Sequence, residues 1–438
     1  MTVLVADGRI AAIGHSAQVA IPGNDKQVDG AGKFLIPGLA DMHIHLTGAG
    51  EPSGSREFII PLLVANGITT VRDMGGKVEY LKQLRAEINS GKRLGPQIFF
   101  TGPYLDGNPP SFQPSIVVQT PAEAAAAVDK LKAEGVDFIK VQSRLQPEPY
   151  YAIADEAKKD KIRFLGHVPD SITAAVASDA GQASIEHLTG VLLGCSTREA
   201  ELRKRSVAPE KPGESHEETL AEDRAGTKEL LDSYSDELAA RLIQKFAANR
   251  TWQVPTFPML VHLGFVTPDT DLGNDPRMKY VPEKVRENWQ EGRKTELAGS
   301  DSTDFTQRAE IIQRYLEIVG KMNQAGVPIM AGTDAAAPNV FPGSSLHEDL
   351  AYLVQAGLTP MQALQAATAR PAEFLGRSAQ QGTIAVGKRA DLVLLDANPL
   401  DDIHNTTKIR AVILNGKLLE RSDLDKLLAG VEQFAAKH

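Results

Sequence analysis

The feature that most restricts the fold is an alternation. Eight short apolar segments, at 39–45, 69–73, 97–101, 137–142, 163–168, 184–187, 252–256 and 328–333, are separated by helical periodicity at 56–66, 77–89, 121–134, 148–160, 171–180, 228–249 and 306–325, with 345–356 after the last. Short apolar runs bounded by turn residues read as buried strands. Eight of them alternating with helices is the count of an α/β (β/α)8 TIM barrel. A doubly wound open sheet is the alternative, but it usually carries a Gly-rich phosphate loop after its first strand. Here that position holds His-Ile-His. A further helix is expected at 358–370, with Pro360 in its first turn and Pro371 after it. The 438 residues taken alone suggest about three domains, a prior that bends for barrels, which can exceed about 250 residues as one unit.

Both ends of the chain read as β structure. Segments 3–6 and 9–13 flank Asp7-Gly8, a type I′ hairpin signal, and Asp29-Gly30 begins the next turn. Near the other end, 390–396 is a mostly apolar strand, and 411–414 with 417–419 flank Asn415-Gly416. The termini are therefore expected to meet in one small β-sandwich made of 1–36 and 381–438, enclosing a barrel over 37–380. Two stretches break the rhythm, 192–227 and 258–302. The first is charged and irregular, with a mixed-charge run at 197–205; the second carries a helical piece near 282–298. Both follow strands at the end where a barrel's active site lies, so lids, substrate walls, surface decoration and an oligomer contact all stay open.

Composition removes several classes. A formal charge of −9 disfavours a nucleic-acid partner, because phosphate backbones want a basic face. The single cysteine, Cys195, excludes an internal disulfide framework and a Cys-rich zinc site. No run approaches the roughly 18 apolar residues of a membrane span. Met1 is followed by no charged-then-apolar leader.

The chemistry gathers at strand ends. The run 34–46 is a Pro-Gly turn feeding an apolar strand that ends in two histidines, and residues two apart in a strand share a face. His43 and His45 thus point one way, with Asp41 beside them. This is half of a transition-metal site, a buried strand that happens to carry histidines, or a metal-free Asp/His pair. Lys140 lies in an apolar fourth strand, where a charged amine is costly unless paired. His167 and His187 end the fifth and sixth strands, and Asp334 follows the eighth. Each alone has a bland reading as a satisfied core or capping group. Six such groups at one end of five strands match the way this fold assembles catalytic sites.

Taken together, these motifs resemble the amidohydrolase superfamily of metal-dependent hydrolases, in its imidazolonepropionase-like and Xaa-Pro dipeptidase-like branch. The resemblance rests on Pro-Gly-x-x-Asp-x-His-x-His, the strand-four lysine, the two later histidines, Gly-Thr-Asp ending at Asp334, and Gly-Lys-Arg-Ala-Asp-Leu-Val from Gly387. It spans nearly the whole chain. It implies two divalent metals, zinc by default, with manganese, nickel or cobalt as alternatives. One would be held by His43, His45 and Asp334, the other by His167 and His187. Lys140, carboxylated by carbon dioxide to a carbamate, would bridge both. A lysine beside two dications favours its neutral form, which can take up carbon dioxide. Two metals about 3.5–4 Å apart can share a hydroxide and polarise a carbonyl, and Asp334 could move its proton to the leaving nitrogen.

The activity so implied is hydrolysis of an amide-like C–N bond in a dipeptide, an N-acyl amino acid or an aryl amide. Esters, lactones, carbamates or ureas are the alternative, a deaminase is disfavoured by the lysine, and a metal-free scaffold relative is disfavoured by the complete ligand set. The partner is then a small molecule or dipeptide, with a homo-oligomer left open. Several weaker signals remain. Tyr104 touches substrate or anchors its loop. Arg72 and Asp73 orient ligands or pair with each other. His347 is a supporting or structural residue behind a capping box of Ser345 and Glu348, Cys195 a packed thiol. His15, His216, His262, His404 and His438 lack a strand-end setting. Relatives of this kind usually have another strand before 3–13. The N-terminus is therefore expected to be shortened, and the compartment stays unassigned.

Overall fold

In a computed structural model of the chain we describe residues 1–20, 23, 26–47, 54–208, 215–268 and 273–438, with Ser55 as backbone only. Strands β1 (Thr2–Ala6) and β2 (Arg9–Gly14) form the first hairpin. Asp7 and Gly8 turn it with φ of +50° and +73°, the pair of positive angles a type I′ turn needs. Strand β3 (Phe34–Pro37) follows, then the barrel strands. These are β4 (Leu39–Ile44), β5 (Ile68–Asp73), β6 (Gln97–Phe100), β7 (Tyr104–Asp106), β8 (Ser115–Val117), β9 (Ile139–Val141), β10 (Phe164–Gly166), β11 (Ser184–Glu186) and β12 (Trp252–Val254). The chain closes with β13 (Leu392–Leu395), β14 (Ile409–Leu414) and β15 (Lys417–Glu420).

The two ends of the chain do meet. The sheet order is β15-β14-β13-β3, antiparallel throughout. The first hairpin docks on it through Ile10 N–H to Lys388 O at 2.8 Å and Ala390 N–H to Gly8 O at 2.9 Å. Ile10, Ala390 and Leu392 share one core with Val3, Val5, Ile13, Leu35 and Ile413. The turns Asp7-Gly8 and Asn415-Gly416 abut so closely that a Cβ on Gly416 would sit 2.6 Å from Gly8 Cα, which is why both turns carry glycine there.

The middle is a (β/α)8 barrel beside this small β domain. Strands β4-β5-β6 pair in parallel, as do β9-β10-β11-β12. The third barrel strand is broken. β6 hands over at Gly102, φ +72°, to β7, which pairs with β9 on one side and the unanticipated β8 on the other. The eighth strand expected at 328–333 makes no ladder. It closes the ring by isolated bridges Gln253↔Ile329 and Ile44↔Ala335, with Met42 N–H to Ala331 O at 3.0 Å. The bottom is plugged by the short helix Ala369–Phe374, whose Phe374 ring meets Trp252 and Phe138 at 5.4 and 5.6 Å.

Several helices differ from the periodicity. The helix expected at 358–370 is two, Pro360–Ala366 and Ala369–Phe374, and Pro371 sits in the first turn of the second, where a missing N–H is harmless. The helix expected at 228–249 breaks at residues 233–235, because Ser235 caps a new start at Asp236. Most of the stretch read as irregular, 192–227, is helical: Val191–Gly194, Glu199–Ser206 and His216–Asp232. Glu199–Ser206 buries no side chain and is held by ion pairs such as Glu199–Arg203 at 2.7 Å, the pattern of a solvated helix. In the second insertion Glu283–Leu297 forms as expected, and its Trp289 packs on Phe341. The parts of these stretches at 209–214 and 269–272 lie outside the described residues.

Candidate metal centre

Lys140, Glu186 and His187 lie in or directly after three-residue strands buried on both faces, and His43 is the penultimate residue of a six-residue strand of the same kind. Parallel pairing brings their C-terminal ends together: β10 is in register with β9 through Leu165↔Lys140, and β11 with β12 through Glu186↔Val254. His187 and Asp334 stand just past their strands in left-handed backbone, φ +58° and +66°. Such angles are costly for residues with a Cβ and are over-represented at functional sites. Asp334 is held there by its N–H on His43 O at 2.7 Å, and His187 by its N–H on Val254 O at 2.9 Å.

The six sequence-derived residues converge. Ligand atoms of His43, His187 and Asp334 lie within 4.8 Å of one another. Asp334 Oδ1 is 3.0 Å from His45 Nε2 and 3.6 Å from His43 Nε2, and Oδ2 is 3.9 Å from His187 Nε2. His167 enters through its ring, 4.9 Å from that of His187. Lys140 is 1% exposed, and its charge acts on all four histidines and on Asp334.

The proton positions follow from what each ring touches. His43 Nδ1 is 2.8 Å from Glu186 Oε2, and His45 Nδ1 is 3.2 Å from Gly75 O; both partners only accept. His187 Nδ1 is 2.6 Å from Thr256 Oγ1, whose own hydrogen goes to Pro255 O. His167 Nδ1 is 3.0 Å from Ser143 Oγ, whose hydrogen goes to Gln142 Oε1. His43 therefore carries its proton on Nδ1 and keeps the Nε2 lone pair for the centre, the tautomer of a metal ligand. The hydroxyl partners of His167 and His187 allow the same, whereas His45 faces acceptors at both nitrogens, Gly75 O and Asp334 Oδ1. His43 Nε2 is buried and has no hydrogen-bond partner among the described residues. An orphaned lone pair beside three further imidazoles and a carboxylate is what a divalent cation would satisfy.

Electrostatics agree. Burial and the nearby Lys140 hold His43 and His167 well below the ordinary imidazole range, and burial takes His187 down to about 3. His45 is also penalised by burial, but the Asp334 carboxylate outweighs this and raises it. For Asp334 burial acts upward, yet the surrounding His45, His187 and Lys140 leave it lowered. Burial brings Lys140 down to about 8 against the opposing pull of Glu186 and Asp334, so its neutral form is within reach even without a metal.

Weaker candidates resolve individually. Tyr104 places its hydroxyl 3.5 Å from His45 Nδ1, at the edge of the centre, and Gly75 lets it in: a Cβ there would meet the ring at 2.3 Å. Arg72 and Asp73 do not pair with each other. Arg72 binds Glu186, and Asp73 accepts from the N–H groups of Leu46 and Gly75. Ser345 and Glu348 form no capping box, since Gly343 is the N-cap and Ser345 Oγ instead accepts from Phe341 N–H. His347 faces Thr406, away from the centre. Cys195 is a buried thiol pushed up to about 12 by burial. Asp41 accepts from Thr333 Oγ1 at 2.6 Å and braces the strand rather than forming a dyad with a histidine. Glu186 was passed over in the sequence, although a glutamate inside an apolar strand is as conspicuous as Lys140.

Comparison with known proteins gives the same frame. The profile of the Amidohydrolase family matches residues 34–419. Ochratoxinase of Aspergillus niger is 26% identical over 411 residues, 86% of this chain and 73% of that protein. Imidazolonepropionase of Shouchella clausii is 35% identical over 119 residues, and the match spans only 25% of that relative's length. Bottromycin amidohydrolase superposes with a TM-score of 0.75 at 22% identity, covering 98% of this chain and 85% of the other, a likeness of fold. The chain belongs to the amidohydrolase family.

Proposed function

We propose that this amidohydrolase-family hydrolase cleaves an amide-like C–N bond at a binuclear metal centre. His43, His45 and Asp334 would hold one divalent ion and His167 and His187 the other, and Lys140, as a carbamate, would contribute to both. The observation that carries the reading is the buried, unpartnered Nε2 of His43, grouped with His187 and the Asp334 carboxylate beside His45, His167 and the buried Lys140. Zinc suits imidazole and carboxylate donors. When bound, two such ions lower the pKa of a water and polarise a carbonyl.

The chain's own groups do the rest. Asp334 is kept ionised by the histidines around it. It accepts a proton from the attacking water and returns it to the leaving nitrogen. Tyr104, held neutral by burial, borders the centre beside His45 and contacts substrate. The substrate is a dipeptide, an N-acyl amino acid or an aryl amide, and the likeness to ochratoxinase, 26% identity over 86% of this chain, supports a small-molecule amide.

The test is Lys140→Ala. The variant should lose the second metal and most activity, and added acetate or propionate should partly restore both by supplying two oxygens in the space left. Lys140→Arg should not be rescued, because guanidinium stays protonated. Two metals and full rate in unaided Lys140→Ala would end the binuclear reading. Hydrolysis confined to esters or lactones in a metal-replete screen would replace the amide reading.

A further inference from the structure

The four histidines do not have the same kind of partner at Nδ1. The Nδ1 atoms of His45, His167 and His187 meet neutral partners: a backbone carbonyl, a serine hydroxyl and a threonine hydroxyl. Only His43 turns its Nδ1 to a carboxylate, that of Glu186 at 2.8 Å. Glu186 is 0% exposed and fully engaged. Arg72 NH2 reaches its two oxygens at 2.9 and 3.0 Å, and Ser184 Oγ donates to Oε1. Arg72, also 0% exposed, places Nε on Met42 O at 2.6 Å, one residue before His43. The network thus ties the second and sixth barrel strands to the first at the residue that presents the orphaned Nε2.

A wholly buried Arg–Glu pair is weak evidence for stability, because desolvating both charges can cost more than their attraction returns. Holding a carboxylate against one imidazole is a use that stability does not explain. A ring whose Nδ1–H faces a carboxylate is a stronger σ-donor at Nε2 than one facing a hydroxyl, and its orientation is fixed more firmly.

We infer that Glu186, pinned by Arg72 and Ser184, is a positioning residue that makes His43 the strongest imidazole ligand, so that the ion it holds is bound more tightly than any ion held without it. This rests on the metal-centre reading above and goes beyond it, because that reading treats the histidines alike.

The test is cobalt(II) binding to metal-free protein in competition with a chelator, followed by the visible d–d absorbance rather than by turnover. Wild-type protein should show a tight first ion. Glu186→Gln should weaken that ion by about 10–100-fold and shift its absorbance. Thr256→Val, which removes the acceptor behind His187, should change the tight ion several-fold less. A folded Glu186→Gln that binds the first ion within about threefold of wild type overturns the inference, and so does an equal loss in Thr256→Val. If Glu186→Gln does not fold, Ser184→Ala serves: a measurable weakening of the tight ion supports the inference, and unchanged affinity overturns it. Wild-type protein that binds no cobalt would instead end the metal-centre reading, a result distinct from the others.

Discussion

The small β domain and the upper end of the barrel bury their strands equally well, and with opposite chemistry. In the first, Leu392, Val393, Leu395, Ala411, Val412 and Leu414 fill the interior, and each is 5% exposed or less. In the second, Asp41, His43, Arg72, Asp73, Lys140 and Glu186 are each 1% exposed or less. Apolar burial is favourable at roughly 25 cal/mol per Å², whereas buried charge is unfavourable unless paired and hydrogen-bonded. One region therefore supplies stability and the other consumes it. Burial pushes Asp41 up to about 7 and Asp73 up to about 6, so both carboxyls resist ionisation although backbone N–H groups and neighbours oppose the shift. The contrast teaches that this barrel end is organised around a ligand rather than around its own stability.

Substitutions should sort accordingly, and the largest effect belongs to the polar region. Asp334→Asn keeps an oxygen near His45 but removes the proton acceptor. We expect a rate loss of about 10²–10⁴ with most of the metal retained, read by turnover beside elemental analysis. A metal-loaded variant with near-normal turnover would show that the proton moves elsewhere.

In the apolar region the readouts should exchange. Leu395 is 0% exposed, and Leu395→Ala should cost about 2–5 kcal/mol in urea unfolding. Rate and metal content per folded molecule should stay unchanged. A loss of metal there would mean that the two regions are coupled and that the comparison fails.

His347 gives an intermediate case, being a buried histidine outside the centre. Its Nδ1 is 3.0 Å from Thr406 Oγ1, joining the helix Ser344–Gln355 to the turn Ile403–Thr407. Burial lowers its pKa to about 4, against an ordinary 6.5. Between these values the unfolded chain binds the extra proton, so stability is complete above pH 6.5 and falls as the pH drops from 6.5 to 4. The loss approaches on the order of 3 kcal/mol. His347→Gln should flatten that part of the stability curve, and a slope like that of wild type would place the acid sensitivity elsewhere.

What the sequence disclosed follows the same division. His43, His45 and Lys140 stand out because polar groups inside apolar strands need a reason, and the two hairpins stand out because Asp-Gly and Asn-Gly favour positive φ. Helices Glu199–Ser206 and His216–Asp232 were misread because neither buries a residue, so their apolar periodicity is blank and the capping box of Ser215 with Glu218 was the remaining cue. The break of the third strand at Gly102 and the bridging role of 328–335 depend on partners far along the chain. So does the pairing of Arg72 with Glu186, 114 positions apart, which no local pattern encodes.

The smallest effect tests the comparison most directly, because its sign is the reverse of the usual one. Lys140 is a lysine with an apolar strand on either side, and in metal-free protein its ammonium has lost water without an equivalent gain. Burial holds its folded-state pKa at about 8, against 10.5 when unfolded. Below pH 8 both states carry the proton and the folded state bears the whole desolvation cost. From pH 8 to 10.5 only the unfolded state keeps it, so stability rises with pH across that interval. Lys140→Met has similar length and no charge. In the presence of a chelator at pH 7 it should be more stable than wild type by about 1–2 kcal/mol, while having no activity. At pH 10 the advantage should shrink toward zero, because the wild-type amine is by then neutral in the fold. Thermal melts of the two metal-free proteins at pH 7 and pH 10 measure this directly. If wild type proves the more stable at pH 7, the charge at Lys140 contributes to the fold in its own right, and the contrast between a stabilising sheet and a costly barrel end does not hold at its central residue.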